Sequence, residues 1–168
     1  ISFLLIFVAC DSDSVPIEAT SGQALVSYAR GFKVFEFDTN YVIVIGENRY
    51  SFSKNLKNST YVLSGVTQLQ FLKALNEDTS IIGLFDANYF NDSSIFSRLA
   101  KSEMLNFKQA NSPDWELLVK HSGSIVLGYS SFNLDAVMVK NLNLTILPIN
   151  EFQENHPLGK AEWIKVFG

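Results

Sequence analysis

The sequence predicts an α/β fold: a parallel sheet with helices on both faces, preceded by an antiparallel β-hairpin. Five short apolar, β-rich runs carry the first part: YVLSG (61–65), SIIGLF (80–85), MLNFK (104–108), SIVLGY (124–129) and LTILPI (144–149). They start at intervals of about twenty residues with helical stretches between them, which implies right-handed crossovers and strands lying parallel and buried on both sides. The second observation is upstream. FKVFEFD (32–38) and YVIVIG (41–46) are separated only by Thr39 and Asn40, the pattern of a hairpin closed by a tight polar turn.

In chain order, ISFLLIFVAC is an unbroken apolar run, too short to span a bilayer and of the length of a signal-peptide h-region. Phe7-Val8-Ala9-Cys10 resembles a bacterial lipobox, with Phe7 where Leu is usual; in such signals the cysteine is diacylated and becomes the mature N-terminus. Residues 1–10 are therefore read as h-region and lipobox, with Cys10 the lipidated residue; a buried strand with an ordinary cysteine is the alternative. No Met precedes Ile1 and no positive n-region survives, so the natural protein is expected to begin upstream. Residues 11–27, opening DSDSVPIEATSGQ, are polar and unpatterned, as a tether is. Residues 28–156 are read as the α/β unit.

Within that unit RYSFS (49–53) alternates and adds a third antiparallel strand. Helices are predicted over 67–75, 93–100, 114–121 and 131–142, with Ser93 and Ser131 as N-caps and either Ser112 or Asp114 capping the third. Pro157 then opens a last helical run, in which Trp163, Ile164, Val166 and Phe167 are spaced to pack against something.

Composition narrows the function. At 168 residues and 47% hydrophobic, the chain buries one good core. A net charge of −4 without a basic run argues against nucleic acid. One cysteine excludes an internal disulfide and a cysteine-based metal site, and His121 and His156 are far apart, so no metal site is expected. There is no G-x-G-x-x-G after the first parallel strand, no P-loop, no G-x-S-x-G elbow and no histidine spaced for a triad. No catalytic residue and no cofactor are therefore expected, and a binder is favoured over an enzyme. A small flavodoxin-like enzyme or cofactor domain is the alternative, although SGVTQ is a poor phosphate cradle. A stand-alone surface interaction module is a third reading.

In open α/β sheets ligands sit beyond the carboxyl ends of the strands. Those ends carry Ser64, Thr67 and Gln68, then Asn88 and Tyr89, then Tyr129 and Ser130, and finally Glu151. Such hydroxyl, amide and aromatic groups can stack on and hydrogen-bond a large organic ligand, and they are the candidate ligand-binding residues. Ordinary capping and turn chemistry is the competing explanation for each.

The segments YARGFKVFEF, YVLSGVTQLQFLKALNEDTSIIGLFDANYFND, SPDWELLVKHSGSIVLGY and FQENHPLGKAEWIKVFG, in that order, resemble the N-terminal, Rossmann-like lobe of cluster-type (class III) periplasmic substrate-binding proteins. These serve ABC importers of iron-siderophores, haem and cobalamin, and the lipoprotein versions of Bacteroidetes-type bacteria are the nearest in pattern. Ser122-Gly123-Ser124 replaces the family's usual Pro-Asp, and Lys160 its usual Arg. The resemblance implies a metal chelate or corrinoid as ligand and an ABC permease as partner. It implies a lipid anchor to the membrane at Cys10, on the periplasmic side of the cell envelope. It also implies that residues 157–168 begin an interlobe helix, with the second lobe missing and Trp163, Ile164 and Phe167 left partly exposed. Glu116 matches the position of a glutamate that docks into permease arginines, with Glu103 and Glu154 as competing carboxylates.

Overall fold

The antiparallel unit has four strands. A computed structural model describes residues 23–55, 59–129, 132, 134–142 and 144–168. β1 (Gln23–Ala24), β2 (Phe32–Glu36), β3 (Asn40–Ile45) and β4 (Asn48–Ser53) pair in that order. The register sets Phe32 opposite Ile45 and Val34 opposite Ile43, so the alternation puts all four on one buried face. β1 lies within the stretch read as a tether; Cys10 and residues 11–22 lie outside the described residues.

The second sheet has five strands, all parallel, in the order β11-β10-β5-β6-β7. They are β5 (Tyr61–Leu63), β6 (Ile81–Leu84), β7 (Leu105–Asn106), β10 (Ile125–Gly128) and β11 (Thr145–Pro148). A two-stranded hairpin, β8 (Lys108–Gln109) and β9 (Ser112–Pro113), follows β7. The intervening helices are α1 (Val66–Ala74), α2 (Ser93–Ala100), α3 (Trp115–Lys120) and α4 (Ala136–Asn141). The predicted α/β class with its parallel sheet and preceding antiparallel element is the observed one.

Strand alternation divides the core in two. Leu63, Leu84, Leu127 and Leu147 face Leu69 and Leu72 of α1, Ile95 of α2 and the antiparallel sheet. Val62, Phe85 and Val126 face Leu118 of α3 and Val139 of α4. The chain steps outward from β5 to β6 and β7, then returns to build β10 and β11 on the other side. The strand order therefore reverses between β5 and β10, where a doubly wound sheet leaves its crevice.

Two predicted caps are corrected. Asp92, not Ser93, caps α2: its carboxylate accepts the N–H groups of Ser94 and Ile95, which a hydroxyl one residue later is not placed to do. α4 begins at Ala136 under Asp135, which accepts from Met138 N–H, so the helix is much shorter than 131–142; Leu134 just before it is buried outside the helix, and Ser131 lies outside the described residues. Asp114 caps α3, one of the two candidates.

The last segment is also corrected. α5 (Pro157–Glu162) has Pro157 in its first turn and His156 as N-cap, the ring Nδ1 accepting from Leu158 N–H; the chain then tightens into a 3-10 turn over Trp163–Val166. Trp163 is fully buried against Phe32, and Phe167 packs on Phe71 with only 8% of its surface exposed. Ile164 is half-buried. These aromatics are consumed inside this chain: Trp163 covers the antiparallel sheet at Phe32, and Phe167 covers α1 at Phe71.

Candidate functional site

Glu154 and Glu162 show what the PLGKAEW segment does. The Glu162 carboxylate accepts the backbone N–H groups of Ser27, Tyr28 and Ala29 and the Lys165 ammonium. Glu154 accepts from the N–H groups of Arg30 and Gly31 and from the Trp163 indole. Burial opposes ionisation of Glu162, but the N–H groups of Ser27 and Ala29, Lys165 and the Tyr28 N–H outweigh it and hold the carboxyl down at about 2. Glu154 is lowered in the same way, its burial overcome by Gly31, Arg30 and Trp163. A side chain at Gly31 would sit 3.0 Å from the Trp163 ring and 3.1 Å from Glu154 Oε1, so glycine lets carboxylate and indole close on the backbone. Glu154 is thus removed from the candidates for permease docking. This seam clamps residues 27–31 and lies apart from the strand ends.

The carboxyl edge of the parallel sheet is built differently. After β5 the chain enters α1 through Ser64 and Gly65, and Gln68 reaches back so that its Oε1 accepts both their N–H groups. Gln68 is fully buried, yet its Nε2 has no partner among the described residues, nor has the buried Ser64 Oγ. Across the reversal point, Tyr129 follows β10 and lays its ring over Gly65: a Cβ there would fall 2.5 Å from the Tyr129 hydroxyl. Tyr129 also meets Phe152 edge-on, with centroids 5.6 Å apart. The crevice mouth between β5 and β10 is floored by unpaired polar atoms and roofed by tyrosine. Thr67, in the first turn of α1, is half-buried.

After β6, Asp86 adopts a left-handed backbone (φ 49°) that starts the 3-10 turn Ala87–Tyr89. Its N–H donates to the carbonyl of Lys108 and its Oδ2 accepts from Ala110 N–H, tying the turn to the β8–β9 hairpin. Ala87 is thereby buried, while Asn88 is exposed and Tyr89 stands 77% exposed. After β11, the turn Glu151–Gln153 inverts what hydrophobicity favours. Glu151 is buried, its Oε2 without a partner among the described residues, and Phe152 is 54% exposed. Glu151 is a poor direct ligand group in this arrangement, and its neighbour Phe152 stands at the surface instead.

Ser130 lies outside the described residues. Glu116 is on the first turn of α3, its side chain 82% exposed and paired with Lys120 at 2.8 Å. Among the described residues no group of three or more His, Cys, Asp or Glu could hold a metal ion. No helix among them is long and apolar enough to cross a membrane.

A cavity of about 560 Å³ lies elsewhere. It separates the two sheets and is lined by Val34, Ile43, Phe52, Leu127, Leu147 and Phe167. Its lysines, Lys54 and Lys165, are already paired with Glu36 and Glu162. Its other polar lining, Tyr41, Tyr61, Ser53 and Ser59, lies beside these paired lysines.

No family model matches the chain. An uncharacterized lipoprotein of Methanocaldococcus jannaschii is 25% identical over 123 residues, covering 67% of this chain and 29% of its own length. Among solved structures, the periplasmic heme-binding protein HutB of Vibrio cholerae aligns with TM-score 0.48 and 10% identity, over 66% of this chain and 41% of that one. A periplasmic binding protein from Veillonella parvula aligns with TM-score 0.46 and 10% identity, over 69% and 40%. The chain thus spans less than half the length of each.

Proposed function

We propose that this chain is one lobe of the substrate-binding component of an ABC importer. It captures an iron-siderophore, haem or cobalamin-type ligand at the carboxyl edge of the parallel sheet and delivers it to a membrane permease. The supporting observation is the exposure of large apolar side chains there: Tyr89 at 77%, Phe152 at 54% and Val66 at 41% follow β6, β11 and β5. Exposed aromatics on the same sheet edge as buried polar atoms without a partner among the described residues are costly unless something covers them. The motifs that resemble the cluster-type binding proteins supply the ligand class, and a second lobe would close over this edge. The full-length protein should bind at least one of haemin, cyanocobalamin or a ferric siderophore by calorimetry; no binding in that panel would sink the reading.

Two further assignments belong to it. Cys10 carries a lipid that holds the protein in the cell envelope, so Cys10→Ser should release it from the membrane fraction; unchanged mass and fractionation would contradict this. Glu116 is offered to permease arginines, a carboxylate on a helix being suited to a bidentate pair. Glu116→Arg should lower uptake and leave ligand affinity alone, with Glu103→Arg as the parallel variant. Normal uptake would leave Glu116 as a solvated first-turn glutamate.

A further inference from the structure

The proposed ligand edge has a sign. The stretches 60–72, 79–97, 122–139 and 144–159 hold β5, β6, β10 and β11 with the loops at their carboxyl ends, and they contain none of the chain's 13 lysines and arginines. They do contain Asp86, Asp135 and Glu151, besides Asp92, which is paired with Lys73, and Glu154, which belongs to the seam. Helix electrostatics explains much of this. Asp92, Asp114 and Asp135 cap helix starts, whereas Lys73, Arg98, Lys120 and Lys140 sit in last turns, away from the edge where the helices begin. Lys108, which follows β7 of the same sheet, is exposed and paired with Asp114 at 3.1 Å.

What the loops after these strands offer is Tyr89, Tyr129, Phe152 and Val66, the amide of Asn88, and the buried Ser64 Oγ, Gln68 Nε2 and Glu151 Oε2. An anionic group pressed onto that surface loses its water and meets, among the described residues of the loops after β5, β6, β10 and β11, no lysine or arginine.

We infer that this edge selects an uncharged or cationic ligand: a neutral metal chelate or corrinoid, and not a chelate bearing free carboxylates or catecholate charge. The inference rests on the binding reading above and narrows its ligand class. The test is calorimetry on the full-length protein with four probes: cyanocobalamin, an uncharged ferric trihydroxamate, haemin and a ferric tricatecholate trianion. One of the first two should bind, and both anionic probes should bind at least about tenfold more weakly. Asn88→Lys should then strengthen binding of an anionic probe by about tenfold at low ionic strength, with the gain lost as salt is raised. Tight binding of haemin or the tricatecholate by the unaltered protein, weakening with salt, overturns the inference and leaves the binding role standing. Asn88→Lys without effect on either anionic probe also overturns it, and silence from all four probes removes both the inference and the role.

Discussion

Glu151 and Glu154 are three residues apart, both buried, and oppositely provided for. Glu154 accepts two backbone N–H groups and an indole N–H, while Glu151 keeps an oxygen with no partner among the described residues. The same contrast separates the two regions they belong to. At the seam between residues 27–31 and α5, Trp163 is buried, Tyr28 is half exposed and stacked on His156, and each carboxylate is hydrogen-bonded. At the carboxyl edge, Phe152 and Tyr89 are outside while Gln68 and Glu151 are inside with atoms unpaired. A chain selected only for stability would arrange both regions like the first. Departures from local consistency gather at functional sites, which supports our proposal that the edge, unlike the seam, serves a ligand.

The contrast breaks most visibly by truncation. Glu162→Ala strands three N–H groups and should lower the free energy of unfolding by about 3 kcal/mol or more, since each unsatisfied buried group costs about 1–3. Glu154→Ala should do nearly as much. Glu151→Gln, changing a carboxylate that is only partly used, should stay within about 1 kcal/mol. Urea denaturation of the three variants ranks them, and an equal loss in Glu151→Gln would erase the distinction.

Acid should act on the seam first. A Glu162 carboxyl held at about 2, against 4.5 for the ordinary group, contributes stability that is complete above the ordinary value and lost as pH falls toward 2. Glu154 is shifted in the same direction, and so is Asp92, held low by Lys73 and Ser94. The melting temperature should therefore decline as pH is lowered through this window, and Glu162→Gln should flatten the decline. An unchanged slope in that variant would remove Glu162 from the explanation.

A smaller effect sharpens the edge. Gly65→Ala drives a methyl group into the Tyr129 ring and should cost about 1–3 kcal/mol as the ring is pushed aside. Gly65→Ala combined with Tyr129→Ala should recover most of that loss in urea melts. No recovery would mean that Tyr129 does not roof Gly65.

Much of the scaffold was legible from sequence and less of the site. The five parallel strands announce themselves because strands buried on both faces must be apolar throughout, and their spacing leaves room for only one kind of crossover. Asp92 and Ser93 are both good capping types, so only the carboxylate's reach decides between them. The roles of Glu154 and Glu162 escape periodicity altogether, since their partners lie 123 to 135 residues upstream. The exchange of Glu151 and Phe152 follows from a short 3-10 turn set by tertiary packing, against hydrophobicity. Tyr129 over Gly65 joins strands that are neighbours in space and far apart in sequence. Pattern finds elements; it does not find what closes over them.

The most direct test of the central claim is the affinity of a Tyr89→Ala, Phe152→Ala variant of the full-length protein for whichever probe the unaltered protein binds, measured by calorimetry beside its melting temperature. Aromatic stacking is worth about 1–3 kcal/mol per ring, so affinity should fall at least about thirtyfold. The melting temperature should hardly move, because both rings are mostly in solvent. Undiminished affinity in that variant would contradict the account and place the ligand away from the carboxyl edge.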